Sequence, residues 1–214
     1  MRGSYFFILS FMLGAVGVAA EGNFEETYRA ALIAFKNEKW DEAQIQALAA
    51  EKLKPEDAKP TLLRARLAQA QKQWKEAEKL AGEAIKKDGH YPPVQFYTGE
   101  IYFAQRKWNE AQVFFHEALQ LRADDPDILL KLVYCNLGTK DSPAAVTRLT
   151  KLDAFHASHP GYYFAKAAIA RTAGRLEESD KIVQDARTLY GNLTLNDFMK
   201  DYLFLFSGGS DAKK

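Results

Sequence analysis

Residues 92–125, PPVQFYTGEIYFAQRKWNEAQVFFHEALQLRADD, set the pattern for the whole chain. Within them Gly99, Tyr102, Trp108, Ala111, Phe115 and Ala118 stand at the spacing of one helix–turn–helix unit. The tryptophans of the protein, Trp40, Trp74 and Trp108, are separated by two equal gaps of 34 residues. Each opens a similar phrase: Trp40-Asp-Glu-Ala43, Trp74-Lys-Glu-Ala77 and Trp108-Asn-Glu-Ala111. A fixed period of this size marks an array of short supersecondary units. A single helix pair cannot bury its own apolar face, so neighbours must stack on it.

Carrying the frame outward divides the chain into units 24–57, 58–91, 92–125, 126–159 and 160–193. The eighth place of each reads Ala31, Ala65, Gly99, Val133 and Ala167, and the twentieth reads Ala43, Ala77, Ala111, Ala145 and Ser179. The twenty-seventh reads Ala50, Ala84, Ala118, Leu152 and Ala186. Small side chains in these columns let helix backbones approach, and a leucine added there would overpack the contact by about 1–3 kcal/mol. In Phe96–Phe103 and Ala111–Leu121 apolar residues recur at three and four, the mark of amphipathic helices. Each unit is expected to form two antiparallel helices, near 24–37 and 40–53 in the first and 34 residues further on in each successor.

The period and the small-residue columns resemble the tetratricopeptide repeat family over essentially all of 24–193. The family's fourth-place tryptophan is replaced by Thr27, Thr61, Gln95, Leu129 and Tyr163; its closing proline survives as Pro55, with Gly89 in the second unit. In the fourth unit Ser142-Pro143-Ala144-Ala145 stands where the first three have Trp-x-Glu-Ala, with Ser142 expected as the cap and Pro143 in a first helical turn, where its missing N–H is not needed. The resemblance implies an all-α fold, a right-handed α-solenoid whose concave surface is lined mainly by the first helix of each pair.

The last unit has no successor and needs a cover. Thr194-Leu-Asn-Asp197 reads as a capping box opening a helix to about Phe206, giving a capping helix over 194–206. It is no ordinary first helix, because Asp201 would fall in the small eighth place. Its apolar face, Leu195, Phe198, Met199, Tyr202, Leu203, Phe204, Leu205 and Phe206, either covers the fifth repeat or stays exposed as a dimer or membrane-proximal patch. Residues 207–214 read as a small, polar, disordered tail.

The opening MRGSYFFILSFMLGAVGVAA carries Arg2, an apolar run from Tyr5 to Val18 and small residues at Val18-Ala19-Ala20. That is the layout of a secretory signal peptide over 1–20, cleaved after Ala20; the rival is an uncleaved anchor. Cleavage would leave no membrane span, and it points to an exported, periplasmic or secreted protein. It would also leave 28 basic and 28 acidic residues, which offers no basic face for nucleic acid. Cys135 is the lone cysteine, so no intrachain disulfide can form and no lipoprotein anchor follows the apolar run.

No catalytic constellation and no cofactor motif stand out. His156-x-x-His159, with Asp153 nearby, is the one spacing that suggests a metal, although a closed site needs more ligands. His90 falls in an inter-repeat turn, and His116 lies on a helix beside Phe115. Cys135 reads as a small buried residue without a base. Glu25-Glu26, Asp41-Glu42, Asp124-Asp125 and Glu177-Glu178 fall at helix starts or turns, where they suit the helix dipole. Asn192-Leu193-Thr194 matches a glycosylation acceptor, relevant only to a eukaryotic secretory route.

The resemblance implies that function lies in the groove. The family's fifth places give Tyr28, Leu62, Phe96, Leu130 and Phe164; the ninth give Leu32, Arg66, Glu100, Tyr134 and Ala168; the twelfth give Phe35, Gln69, Phe103, Leu137 and Arg171. From these Tyr28, Leu32, Phe35, Arg66, Gln69, Phe96, Glu100, Phe103, Tyr134 and Arg171 are the expected peptide-contacting set. The clamp with which some family members hold a terminal carboxylate is missing, since its places read Tyr28, Leu32, Leu63, Pro93 and Tyr97. A non-catalytic scaffold holding an extended peptide or partner helix, in envelope complex assembly, is the reading that fits best. Two alternatives stand beside it: a structural assembly protein forming homo-oligomers through 195–206, and a metal protein or enzyme using His156 and His159.

Overall fold

The computed structural model describes residues 23–191 and 193–208. They form five helix pairs and a last helix: α1 (Phe24–Lys36) and α2 (Trp40–Leu53), α3 (Ala58–Ala70) and α4 (Trp74–Asp88), α5 (Pro92–Ala104) and α6 (Trp108–Leu121), α7 (Pro126–Gly138) and α8 (Ser142–Leu152), α9 (Gly161–Thr172) and α10 (Leu176–Tyr190), then α11 (Asn196–Phe206). Short 3-10 turns cover Asp153–Phe155 and Leu193–Leu195. The pairs follow the 34-residue frame, and each tryptophan is the first residue of a second helix. The expected signal peptide (1–20), Asn192 of the glycosylation triplet and the tail from 209 lie outside the described residues. No described helix is long and apolar enough to cross a membrane.

Starts and stops have local causes. Asn23, Asp57 and Asp125 accept hydrogen bonds from backbone N–H groups of the first turns of α1, α3 and α7, which satisfies donors that a helix start leaves open. In α8 Pro143 does sit in the first turn, but the cap is Asp141, which accepts from the Ala144 N–H at 3.1 Å, rather than Ser142. The carboxylate one residue earlier can reach back over the turn. The capping box expected at Thr194 is not formed either: α11 starts after a 3-10 turn, with Leu195 in the cap position and no side-chain cap. Leu195 is 2% exposed, so packing rather than capping chemistry sets that start.

The three small columns are interior: Ala31, Ala43, Ala50, Ala65, Ala77, Ala84, Ala111 and Ala118 have no exposed surface. Gly99 shows why: a Cβ built there would stand 2.6 Å from the Phe115 ring. A Cβ at Gly138 would likewise stand 2.6 Å from the Trp108 indole. First helices meet one another along the array (α1 with α3, α3 with α5, α7 with α9), and each second helix meets the first helix of the next pair. The first helices of the pairs, α1, α3, α5, α7 and α9, therefore make the inner wall on which a groove is built.

Candidate functional site

The inner wall has two unlike halves. Over the first two repeats and the start of α5 it is open. Tyr28, Leu32 and Phe35 of α1 are half-buried and pack as one cluster over Ala31, Ala47 and Leu63. Opposite them stands Arg66 of α3, its guanidinium 4.6 Å from the Phe35 ring centroid and 3.8 Å from that of Tyr97. A flat cation between two aromatic faces gains about 0.5–2 kcal/mol per ring, which fixes its direction while leaving its N–H edge free to bond. Burial pushes the Tyr28 hydroxyl up to about 12, reinforced by Tyr91 and opposed by Arg66. Gln69 donates from Nε2 to the Glu100 carbonyl at 3.1 Å and so ties α3 to α5. Phe96 leans on Phe115, with a ring separation of 5.8 Å, and supports the wall.

Over repeats three to five the inner wall is covered, which corrects the expectation that Glu100, Phe103, Tyr134 and Arg171 line an open groove. The cover is α11. Phe204 packs on Phe103 and Trp108, with ring centroids 5.7 and 6.2 Å apart, and Phe198 stacks on Phe164 at 5.7 Å. Tyr202 is buried, its hydroxyl 2.7 Å from Ser179 Oγ. Phe103 and Tyr134 are consequently core residues, at 3% and 0% exposure. Arg171 sits over Phe206, 5.3 Å from its centroid, and 3.6 Å from Asp180. The helix thus caps the fifth repeat, as expected, and also runs back across the fourth to the third.

Two charged residues that sequence reasoning passed over hold this cover. Lys131 lies on an otherwise apolar stretch of α7 and is buried, with Nζ 2.7 Å from Glu100 Oε1 and 2.8 Å from Asp201 Oδ2. Burial would push its ammonium down, but the two carboxylates outweigh that and raise it. Burial pushes the Glu100 carboxyl up, and the second negative charge of Asp201 adds to this against the pull of Lys131. Arg106 donates to the carbonyls of Phe204 and Leu205 and, at 3.1 Å, to Ser207 Oγ. It is a cation on the last carbonyls of α11, the favourable end of that helix's dipole. The available signal was a lone lysine inside the run from Ile128 to Tyr134, which needs an anion from elsewhere.

The other candidates are engaged locally. His159 accepts from the Gly161 N–H at Nδ1 (3.1 Å) and reaches Asp127 Oδ1 from Nε2 (3.2 Å). His156 Nδ1 lies 2.7 Å from the Asp153 carbonyl. Among the described residues no three of His, Cys, Asp and Glu are grouped to hold a metal. Cys135 is buried, and burial pushes its thiol up to about 12, the reverse of a poised nucleophile.

Comparison with known proteins agrees with this architecture. A family model described as tetratricopeptide repeat matches residues 102–169. No curated protein matches the sequence. Among solved structures, a thermophilic tetratricopeptide protein of Thermus thermophilus is similar at a TM-score of 0.69 and 15% identity, over 86% of this chain and 100% of that one. YrrB, described as a tetratricopeptide protein with an unusual peptide-binding site, aligns at a TM-score of 0.59 and 12% identity, over 83% of this chain and 92% of its own. The first tetratricopeptide domain of Spaghetti (RPAP3), solved with an HSP90 peptide, aligns at 0.51 and 20% identity, over 55% of this chain and 93% of its own. The described array therefore has the tetratricopeptide-repeat fold, and residues 102–169 match that family's sequence model.

Proposed function

We propose that this protein is an exported, non-catalytic scaffold that holds a partner polypeptide in the open half of its groove and serves in envelope complex assembly. The observation that carries the reading is Arg66, fixed between Phe35 and Tyr97 with Tyr28 and Leu32 beside it. Those rings offer apolar faces to side chains, and the guanidinium offers donors to a carboxylate or backbone carbonyl of an extended peptide. Peptide recognition in YrrB and in the Spaghetti domain, as their descriptions state it, supports the same use of a similar fold. Export rests on the first twenty residues alone.

Crosslinking in the native host, comparing wild type with Arg66→Ala and Tyr97→Ala, tests the groove. Loss of the same crosslinked partner in both variants, with unchanged helical content, is expected; an unchanged partner would remove the open half from the proposal. Fractionation with N-terminal sequencing tests export, and a mature chain beginning at Glu21 in the envelope fraction is the expected result.

A further inference from the structure

α11 spans eleven residues, fewer than the roughly 12–15 at which an isolated helix holds in water, so its order comes from the wall beneath it. Its removal would leave no buried charge stranded. Lys131 keeps Glu100 at 2.7 Å, and Ser179 keeps the Ala167 carbonyl at 2.8 Å. Arg106 and Arg171 are half-buried and can return to water. What departure would expose is apolar: Phe103, Tyr134 and Phe164, all at most 3% exposed with the helix in place. A surface of that kind seeks another cover. The present cover is also incomplete, because the buried Tyr134 hydroxyl has no hydrogen-bond partner among the described residues. Burial pushes that hydroxyl well up, and the negative charge of Asp201 on α11 adds to the shift.

We propose that the inner face of repeats three to five is a helix-binding site, that α11 is its resident occupant, and that an amphipathic partner helix of the same chemistry takes its place. That helix has about three turns, large apolar or aromatic residues where Phe198, Tyr202 and Phe204 stand, and a carboxylate to meet Lys131 and the Tyr134 hydroxyl. Its last carbonyls end on Arg106. The surface is separate from the open half around Arg66, and its ligand is helical rather than extended.

The test uses the full chain and a labelled synthetic peptide of residues 193–208. In a chain carrying Asp201→Ala and Phe204→Ala, the resident helix is loosened and the wall is intact. The peptide is expected to bind that chain at least ten-fold more tightly than wild type. Adding Lys131→Met should reverse the gain, and Arg66→Ala should leave it unchanged, which separates this site from the open half. Equal binding to loosened and wild-type chains, or none to either, overturns the proposal, as does collapse of the array in the loosened chain. Hydrogen exchange on wild type gives an independent reading. Amides of α11 should exchange at least a hundred-fold faster than those of α7 and α9, and equal protection would show that the helix leaves only on global unfolding.

Discussion

Asp201 Oδ2 lies 2.8 Å from Lys131 Nζ, joining α11 to the inner wall of the fourth repeat. Glu100 completes the group, so one buried ammonium serves two carboxylates. Electroneutrality favours a proton on one of them, and Glu100, already pushed up by burial, is the one placed to take it. Lys131→Met removes the cation and leaves Glu100 buried without it, at an expected cost of about 3 kcal/mol near pH 8. A carboxyl whose folded-state pKa is raised is least costly below that value and more so as the pH rises through it. The loss should therefore be smaller at pH 5 than at pH 8 in urea denaturation. Equal losses would mean that Glu100 does not take the proton.

The small columns make a sharper demand. Ala77 and Ala111 have no exposed surface, whereas Gln69 is half-buried on the inner wall. Ala77→Leu or Ala111→Leu should each lower stability by about 1–3 kcal/mol through overpacking, and more than Gln69→Leu does. Gly99→Ala belongs with the first pair, because its new methyl meets the Phe115 ring at 2.6 Å. Thermal melts of the four variants decide it, and a common melting temperature would contradict the register.

The same residues explain how much of the molecule could be read from the chain alone. Alanine-sized contacts must recur wherever a hairpin meets its neighbour, so the period exposes the helices to within a residue, except α8, which stops at Leu152 three residues short of the frame and closes in a 3-10 turn. Tyr28, Leu32, Phe35 and Arg66 follow the frame as well, and they meet on the inner wall. The place of α11 was not. An apolar face suits a cap on α9 equally well as a cover on α5 and α7, and no frame extends past residue 193. Tyr97 and Lys131 were passed over together because both fall in the sixth place, which was weighed only as part of the missing carboxylate clamp. The structure turns that place inward at the third and fourth repeats.

Glu51 binds the first two repeats through one carboxylate. It accepts from Lys87 Nζ at 2.7 Å, Thr61 Oγ1 at 2.6 Å and Arg64 Nη1 at 2.6 Å. Burial alone would push it up, but these three partners outweigh it and hold the carboxyl at about 2, against an ordinary 4.5. A depressed carboxyl contributes stability that is fully present above its unfolded value and is lost as the pH falls through the folded one. Wild type should therefore exceed Glu51→Gln by about 2 kcal/mol at pH 7. Between about pH 4.5 and pH 2 that advantage should shrink, and a constant difference across the window would show that the network is not what holds the charge.

The turns inside the first four pairs place a non-glycine residue at positive φ: Glu38 at 57°, Lys72 and Arg106 at 58°, and Lys140 at 63°; the fifth uses Gly174 at 79°. A side chain in that region is strained by about 1–2 kcal/mol, and glycine relieves it while losing more chain entropy on folding. Lys72 is exposed, so Lys72→Gly should gain roughly 0.5–1 kcal/mol. Arg106 occupies the same backbone conformation but spends its side chain on the carbonyls of Phe204 and Leu205. Arg106→Gly gains the same relief and loses those charge-assisted hydrogen bonds, each worth about 1.5–3 kcal/mol, so it should destabilise the protein. The opposite signs of two identical replacements at equivalent turns, measured by chemical denaturation, isolate what the guanidinium contributes to seating α11. Stabilisation by both would show that Arg106 does not hold the helix.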